Sequence, residues 1–319
     1  MKIKMKEGFI IMSLKDVTIV GGGPAGLSAV LYSVRAGLNT VLIEADEYSG
    51  SQVLYTNDID NYLGFPDING YELMEKFRSH LKNKAFDKIS GSVISISKSN
   101  DIFTVELNNS EKIQSETVIF ATGAEHKTLD IDGEKKLGGR GVSYCAICDG
   151  AFFKNKISVI IGGGDTAFKD ALYLSKICSQ VFIVHRRNSF KASKGLINMV
   201  LSTKNIKIIT DTVPLKITGE NKVEGIILKN LSNETVTELK TDAVFVAVGM
   251  RPRTKILEKL DILDKQGYII ANEDGITALK GFFAAGDVRT KNTRQIITAV
   301  SDGAYCAVSA EKYLSTIKK

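Results

Sequence analysis

The chain has 319 residues, 44% hydrophobic and 24% charged. That is long enough for two domains with cores of their own, and the balance is ordinary for a soluble protein. Its net charge of +6 is scattered, with no basic stripe interleaved with aromatics, which argues against nucleic acid binding. No apolar run approaches the roughly 18 residues of a membrane span. Four cysteines make no secreted disulfide framework. They point to a reducing, cytoplasmic setting, where a close Cys pair is redox-active or metal-binding.

The apolar piece at 9–12 is too short for a signal peptide, and the residues before Lys15 read as a frayed extension. Residues 17–20 form a β-rich run that enters Gly21-Gly22-Gly23-Pro24-Ala25-Gly26. Residues 25–36 read as a helix with Leu27, Val30, Leu31 and Val34 on its apolar face. A second strand, 39–43, ends at Glu44. Strand, glycine turn, helix, strand and acid is the order of a dinucleotide site. The glycines allow a tight turn and close backbone approach to a pyrophosphate, and the acid accepts from a ribose. Glu44 would repel a 2′-phosphate, which favours an unphosphorylated ribose. Residues 93–97 and 103–107 alternate about a turn at 99–101 and read as hairpin strands, and strand 118–120 enters Ala121-Thr122-Gly123-Ala124.

Next comes Gly141-Val142-Ser143-Tyr144-Cys145-Ala146-Ile147-Cys148-Asp149-Gly150. A Cys-x-x-Cys can close a small disulfide ring or supply half of a zinc site. Structural zinc needs four ligands, and the remaining Cys178 and Cys306 sit singly in helical apolar patterns as small hydrophobes. The expectation is redox use and no metal. Exchange requires one thiolate to attack and another to resolve. Asp149 is placed either to move the proton or to cap the following turn, and the residues alone do not say which thiol attacks.

A second copy of the first motif follows. Strand 156–161 enters Gly162-Gly163-Gly164-Asp165-Thr166-Ala167, with helix 166–174 and strand 180–184 behind it. His185 follows Ala167 at the spacing at which Glu44 follows Gly26. Arg186, Arg187 and Lys191 come after it, so the acid of the first copy is replaced by a basic cluster suited to a 2′-phosphate. Strands are expected again at 225–229, 235–239 and 244–248, the last entering Gly249-Met250, so the duplication reaches past the loops. Strands 267–271 and 282–285, the Gly286-Asp287-Val288 turn and a helix over about 294–317 remain. They are too few for a third nucleotide fold and are expected to complete the first domain. The fold class is α/β: two Rossmann-like, three-layer ββα domains of the FAD/NAD(P)-binding kind, the second inserted into the first. The expected first domain is 1–126 with 253–319 and the inserted one 127–252, with crossings near 124–130 and 249–257.

Together these motifs, with Asn61-Tyr62, Gly64-Phe65 and Arg294-Gln295, resemble the low-molecular-weight thioredoxin reductases over nearly the whole chain. The resemblance implies a homodimeric, NADPH-dependent flavoprotein that reduces thioredoxin. It implies that Gly21, Gly23, Pro24, Ala25, Gly26, Glu44, Gln52, Asn61, Val93, Thr122, Gly123, Asp287, Arg294 and Gln295 hold FAD. It implies that Gly163, Gly164, Asp165, Thr166, His185, Arg186, Arg187 and Lys191 frame NADPH. Cys148 would stand on the flavin side of the disulfide, Cys145 would attack thioredoxin, and Asp149 would handle the proton. The chain departs from the family pattern at Gly50-Ser51-Gln52, Leu63, Lys169, Lys191 and Met250-Arg251-Pro252-Arg253. The last three are expected in the inserted domain, where they keep or add positive charge.

Overall fold

A computed structural model describes residues 4–6, 9–11, 13–46, 51–56 and 59–318. Gly50, one of the departures above, lies outside the described residues. By internal contacts the chain divides into two compact units, Met1–Glu125 with Arg251–Lys319, and His126–Met250.

In the first unit, five parallel strands run in the order Asp87–Ser90, Thr40–Glu44, Lys15–Val20, Lys112–Phe120 and Phe282–Ala284. Alternation along the strands divides the core. Val17 and Ile19 pack with Leu27 and Val30 of helix Pro24–Arg35 and with Cys306, Ala307 and Ala310 of helix Ile296–Ile317. Val20, Val41 and Ile43 pack on the other face with Phe103, Val105, Phe120 and Phe282. The layer on that face is the antiparallel pair Val93–Ser99 and Ile102–Leu107, which joins the first half of Lys112–Phe120. Its turn residues Asn100 and Asp101 have φ of 48° and 61°, the left-handed pair that a two-residue hairpin turn requires. The two long helices cross closely because Gly303 lies against the Ala25 carbonyl, where a side chain would collide with backbone.

The start of the chain departs from the frayed extension expected of it. Lys4–Lys6 and Phe9–Ile11 pair antiparallel, and Ile11 bridges Lys112. Residues 267–271 do not form a strand. Ile269 alone makes isolated bridges, to Leu263 and Arg289, so the alternation is real but lacks a neighbouring ladder. Strand Asp87–Ser90 and helix Gly70–Leu81 were not anticipated.

The second unit repeats the plan. Parallel strands run in the order Val142–Ser143, Ala243–Val246, Ile157–Ile161, Gln180–Val184 and Ile206–Ile209. Helices Asp165–Leu174 and Lys194–Leu201 contribute to the core on one face, with Phe168, Leu174 and Val200 buried there. On the other, Thr212–Thr218, Gly225–Asn230 and Val236–Lys240 form a three-stranded meander whose Ile217, Ile226 and Leu228 meet Val159, Val184 and Val244. Each unit is thus helix layer, parallel sheet and meander, the three-layer α/β arrangement expected from the duplicated pattern. Among the described residues no helix is long and apolar enough to cross a membrane.

Candidate active site

The first glycine loop is shaped by contacts that exclude side chains. Gly21 has φ of +107° and its N–H donates to the Ile43 carbonyl at 2.8 Å. A Cβ there would stand 2.5 Å from the Ala121 carbonyl oxygen. Gly26 lies directly against the Gly21 carbonyl, where a Cβ would collide with backbone, and Gly22 lies against the Glu44 carboxylate. No contact under 3.8 Å would meet a Cβ on Gly23. The first turn of helix Pro24–Arg35 carries no acidic residue and Gly23 makes no side-chain cap. A backbone cradle of this kind, open at a helix start, fits a dinucleotide pyrophosphate.

Glu44 is placed beside that cradle, with its side chain 6% exposed. It is not a bare negative charge. Arg78 from helix Gly70–Leu81 grips both of its oxygens, at 2.6 and 3.1 Å, and Lys88 Nζ is 3.5 Å away. The repulsion of a 2′-phosphate expected from Glu44 is therefore offset by two cations. Nothing in the glycine motif signals Arg78.

Further along the unit, Ser51 caps the short helix Gln52–Tyr55 by accepting from Val53 N–H at 3.3 Å. Asn61 Nδ2 donates to Gln295 Oε1 at 3.2 Å, bringing together two of the residues assigned to one cofactor. Thr122 Oγ1 donates to the Arg253 carbonyl at 3.0 Å, and Gly123 has φ of +70°. Val93 lies in the meander, opposite Leu107. Asp287 Oδ1 is buried with no hydrogen-bond partner, and burial raises its carboxyl above the usual range. Such an orphaned acceptor fits a group that arrives with a hydroxyl. Arg294 stacks on the Tyr268 ring at 4.5 Å, and its Nε is also buried and unbonded. The turn carrying Asp287 is held by Asp302, which accepts from Gly286 N–H at 2.9 Å, from Arg289 at 2.9 and 3.0 Å, and from Lys291 at 2.9 Å.

The disulfide segment lies in the second unit. Cys145 and Cys148 are bonded, with Cα atoms 5.3 Å apart. They lie at the start and within the single-turn helix Ala146–Asp149, where Cys148 N–H donates to Cys145 Sγ at 3.2 Å. Ser143, buried at the end of the short strand Val142–Ser143, works in both directions. Its Oγ donates to Asp149 Oδ2 at 2.5 Å and accepts from Cys145 N–H at 3.0 Å. Tyr144 donates to the buried Glu134 at 2.8 Å, and its ring stacks with His126 at 5.0 Å. Burial pushes the His126 imidazole down to about 4 and raises the Tyr144 hydroxyl. Gly150 lets the turn pack on helix Asp165–Leu174, because a Cβ would stand 2.8 Å from Leu174 and 3.0 Å from Tyr173. Ser143, Tyr144 and Glu134 were not assigned roles from the sequence, although two of them sit inside the Cys-containing motif.

In the second glycine loop, Gly163 lies against the His185 ring, the counterpart of Gly22 against Glu44. Lys191 N–H donates to the Gly163 carbonyl at 2.8 Å and Ser193 N–H to Asp165 Oδ1 at 2.7 Å, which bends the basic segment back over the loop. Arg186, Arg187, Lys191 and Thr166 are exposed, as is Lys169 on the same helix. Burial, reinforced by the two arginines, lowers the His185 pKa. The exposed charge of this segment is carried by Arg186, Arg187 and Lys191. Arg251 and Arg253 fall in the first unit, not in the inserted one, and both pair with Glu125 there.

A family model described as pyridine nucleotide-disulphide oxidoreductase matches residues 15–303. The thioredoxin reductase of Bacillus subtilis (strain 168) is 40% identical over 305 residues, covering 95% of this chain and 96% of its own. That of Treponema pallidum (strain Nichols) is 40% identical over 304 residues, covering 95% and 98%. Among solved structures, thioredoxin reductase from Streptococcus pyogenes MGAS5005 superposes with a TM-score of 0.90 at 38% identity, covering 95% of this chain and 99% of that one. The chain belongs to the pyridine nucleotide-disulphide oxidoreductases, in the branch formed by the thioredoxin reductases.

Proposed function

We propose that the chain carries electrons from NADPH, by way of FAD and the Cys145–Cys148 disulfide, to oxidised thioredoxin. The observation that carries this reading is the disulfide itself, bonded within one turn and braced by Ser143 and Asp149. Gly21, Gly23, Pro24, Ala25, Gly26, Glu44, Gln52, Asn61, Val93, Thr122, Gly123, Asp287, Arg294 and Gln295 would hold FAD. Gly163, Gly164, Asp165, Thr166, His185, Arg186, Arg187 and Lys191 would hold NADPH. When bound, FAD supplies a two-electron relay between the nicotinamide and the disulfide.

The chain's own part is thiol chemistry. Reduction of Cys145–Cys148 yields two thiols. The Cys145 thiolate attacks a sulfur of the thioredoxin disulfide and forms a mixed disulfide, releasing one thioredoxin thiolate. Cys148 then attacks Cys145, which restores the internal disulfide and releases the second thioredoxin thiolate. Asp149, held by Ser143 next to Cys148, accepts and returns the proton that these thiolate steps require. The assignment of Cys145 as the attacking sulfur follows the family resemblance. So do a homodimeric assembly and a cytoplasmic setting, and sedimentation of the purified protein tests the first of these.

Purified protein should be yellow and bleached by NADPH. The Cys145→Ser protein should still bleach but no longer reduce thioredoxin. A Cys145→Ser protein that reduced thioredoxin at the normal rate would overturn the assignment.

A further inference from the structure

Glu44 ends the second strand of a nucleotide motif, yet the structure shows it already engaged. The Arg78 guanidinium meets both carboxylate oxygens, Nη2 to Oε1 at 2.6 Å and Nη1 to Oε2 at 3.1 Å. The same Nη2 lies 3.5 Å from the Gly22 carbonyl, inside the glycine loop. Side-chain exposure is 11% for Arg78 and 6% for Glu44, so water screens this pair little.

Arg78 reaches the loop because its helix is docked firmly. Asn69 caps helix Gly70–Leu81 by accepting from Glu72 N–H at 2.9 Å. Gly70 lies against the Val53 carbonyl, and Leu73 and Met74 are wholly buried. The helix therefore delivers a cation to a fixed point beside the motif.

Two consequences follow for a ligand with a ribose and a pyrophosphate. A carboxylate has about four acceptor directions, and a bidentate guanidinium occupies two while fixing the carboxylate plane. Lys88 Nζ stands 3.5 Å from Oε2, and the direction left over is held in a fixed plane for a ribose hydroxyl. The pair also cancels a negative charge that would otherwise face an incoming polyanion. We propose that Arg78 is the positioning residue of the first nucleotide site, acting through Glu44 to set affinity for the adenosine end of the cofactor. This rests on the reading of the first glycine loop as the FAD site.

The test is a double-mutant cycle on FAD binding, read from the recovery of free-flavin fluorescence as purified holoprotein is diluted, with ADP as a competing probe. Arg78→Met should weaken both FAD and ADP on the order of tenfold, by removing one partner of a buried charge pair. In the Glu44→Gln background the same change should cost under about threefold, because no carboxylate remains to be oriented. Arg78→Lys should recover part of the loss by returning charge without the fork. If Arg78→Met alone folds poorly, Arg78→Lys, which keeps a cation beside Glu44, carries the same comparison in both backgrounds, with a loss in the parent that shrinks when Glu44 is Gln.

Equal losses in both backgrounds, or no loss in the parent, would make Arg78 a packing residue and overturn the proposal while leaving the site in place. If Glu44→Gln leaves FAD and ADP affinity unchanged, the underlying site reading fails, and the proposal with it.

Discussion

Ser143 Oγ donates to Asp149 Oδ2 at 2.5 Å, and the same oxygen accepts from the N–H of Cys145. One hydroxyl thus ties the acid to the backbone of a reacting cysteine. Asp149→Asn should slow thioredoxin reduction about a hundredfold, the scale of a lost proton-transfer group. Ser143→Ala should slow it about tenfold by loosening the acid. Stopped-flow bleaching by NADPH should be unchanged in both, since neither residue lies in a glycine loop. An equal effect on bleaching would remove Asp149 from the exchange chemistry.

The exposed basic segment after His185 should decide between the two nicotinamide nucleotides. Arg186→Ala and Arg187→Ala should each raise KM for NADPH by about five- to tenfold, the worth of a partly solvated charge-assisted bond. KM for NADH should move less than about twofold. Steady-state kinetics with both nucleotides measures the ratio directly.

The two glycine loops should differ in tolerance. Gly26 abuts the Gly21 carbonyl, so Gly26→Ala forces backbone apart, and the protein is expected to purify colourless or not to fold. The matching residue of the second loop is already Ala167, wholly buried in helix Asp165–Leu174. Ala167→Gly should cost about 1 kcal/mol in helix propensity and leave the chain folded. Thermal melts and flavin absorbance separate the outcomes.

Asp302 should set an acid limb of stability. Burial alone would raise its carboxyl, but hydrogen bonds from Arg289 and Lys291 outweigh this and hold it below its ordinary value. A lowered folded pKa gives stability that is fully present above the unfolded value, near 4, and lost as pH falls through the folded one. Asp302→Asn should destabilise by about 3–5 kcal/mol at neutral pH, leaving two cations short of a partner. The gap from the parent should narrow below about pH 4. Denaturant melts across pH test this, and a gap that stayed constant would show that the charge is not responsible.

The glycine loops were legible because their requirement is local. A positive φ at Gly21 and a backbone contact at Gly26 appear in the sequence as residue type at fixed spacing. Glu44 and His185 were legible for the same reason, as Glu44 ends the strand that follows its loop and His185 comes directly after its own. Arg78 was not, because its contact depends on where helix Gly70–Leu81 docks, and no spacing rule links it to Glu44. Strand Asp87–Ser90, at the sheet edge, carries two charged residues in four positions and has no apolar alternation to reveal it. Residues 267–271 erred the other way, with the right alternation and no partner strand. Arg251 and Arg253 stand at the chain crossing, where position along the sequence does not separate the units, and both pair with Glu125 of the first one.

Cys178 and Cys306 are both buried and unbridged, and burial raises both thiols above their ordinary range. Only a thiolate exchanges. A protein that passes electrons between sulfurs invites its own spare thiols to join the traffic, and these two are kept protonated and out of reach. Mispaired bridges and dead-end adducts with a client protein are thereby suppressed at the source. In the folded, reduced chain a thiol reagent should count two sulfurs rather than four.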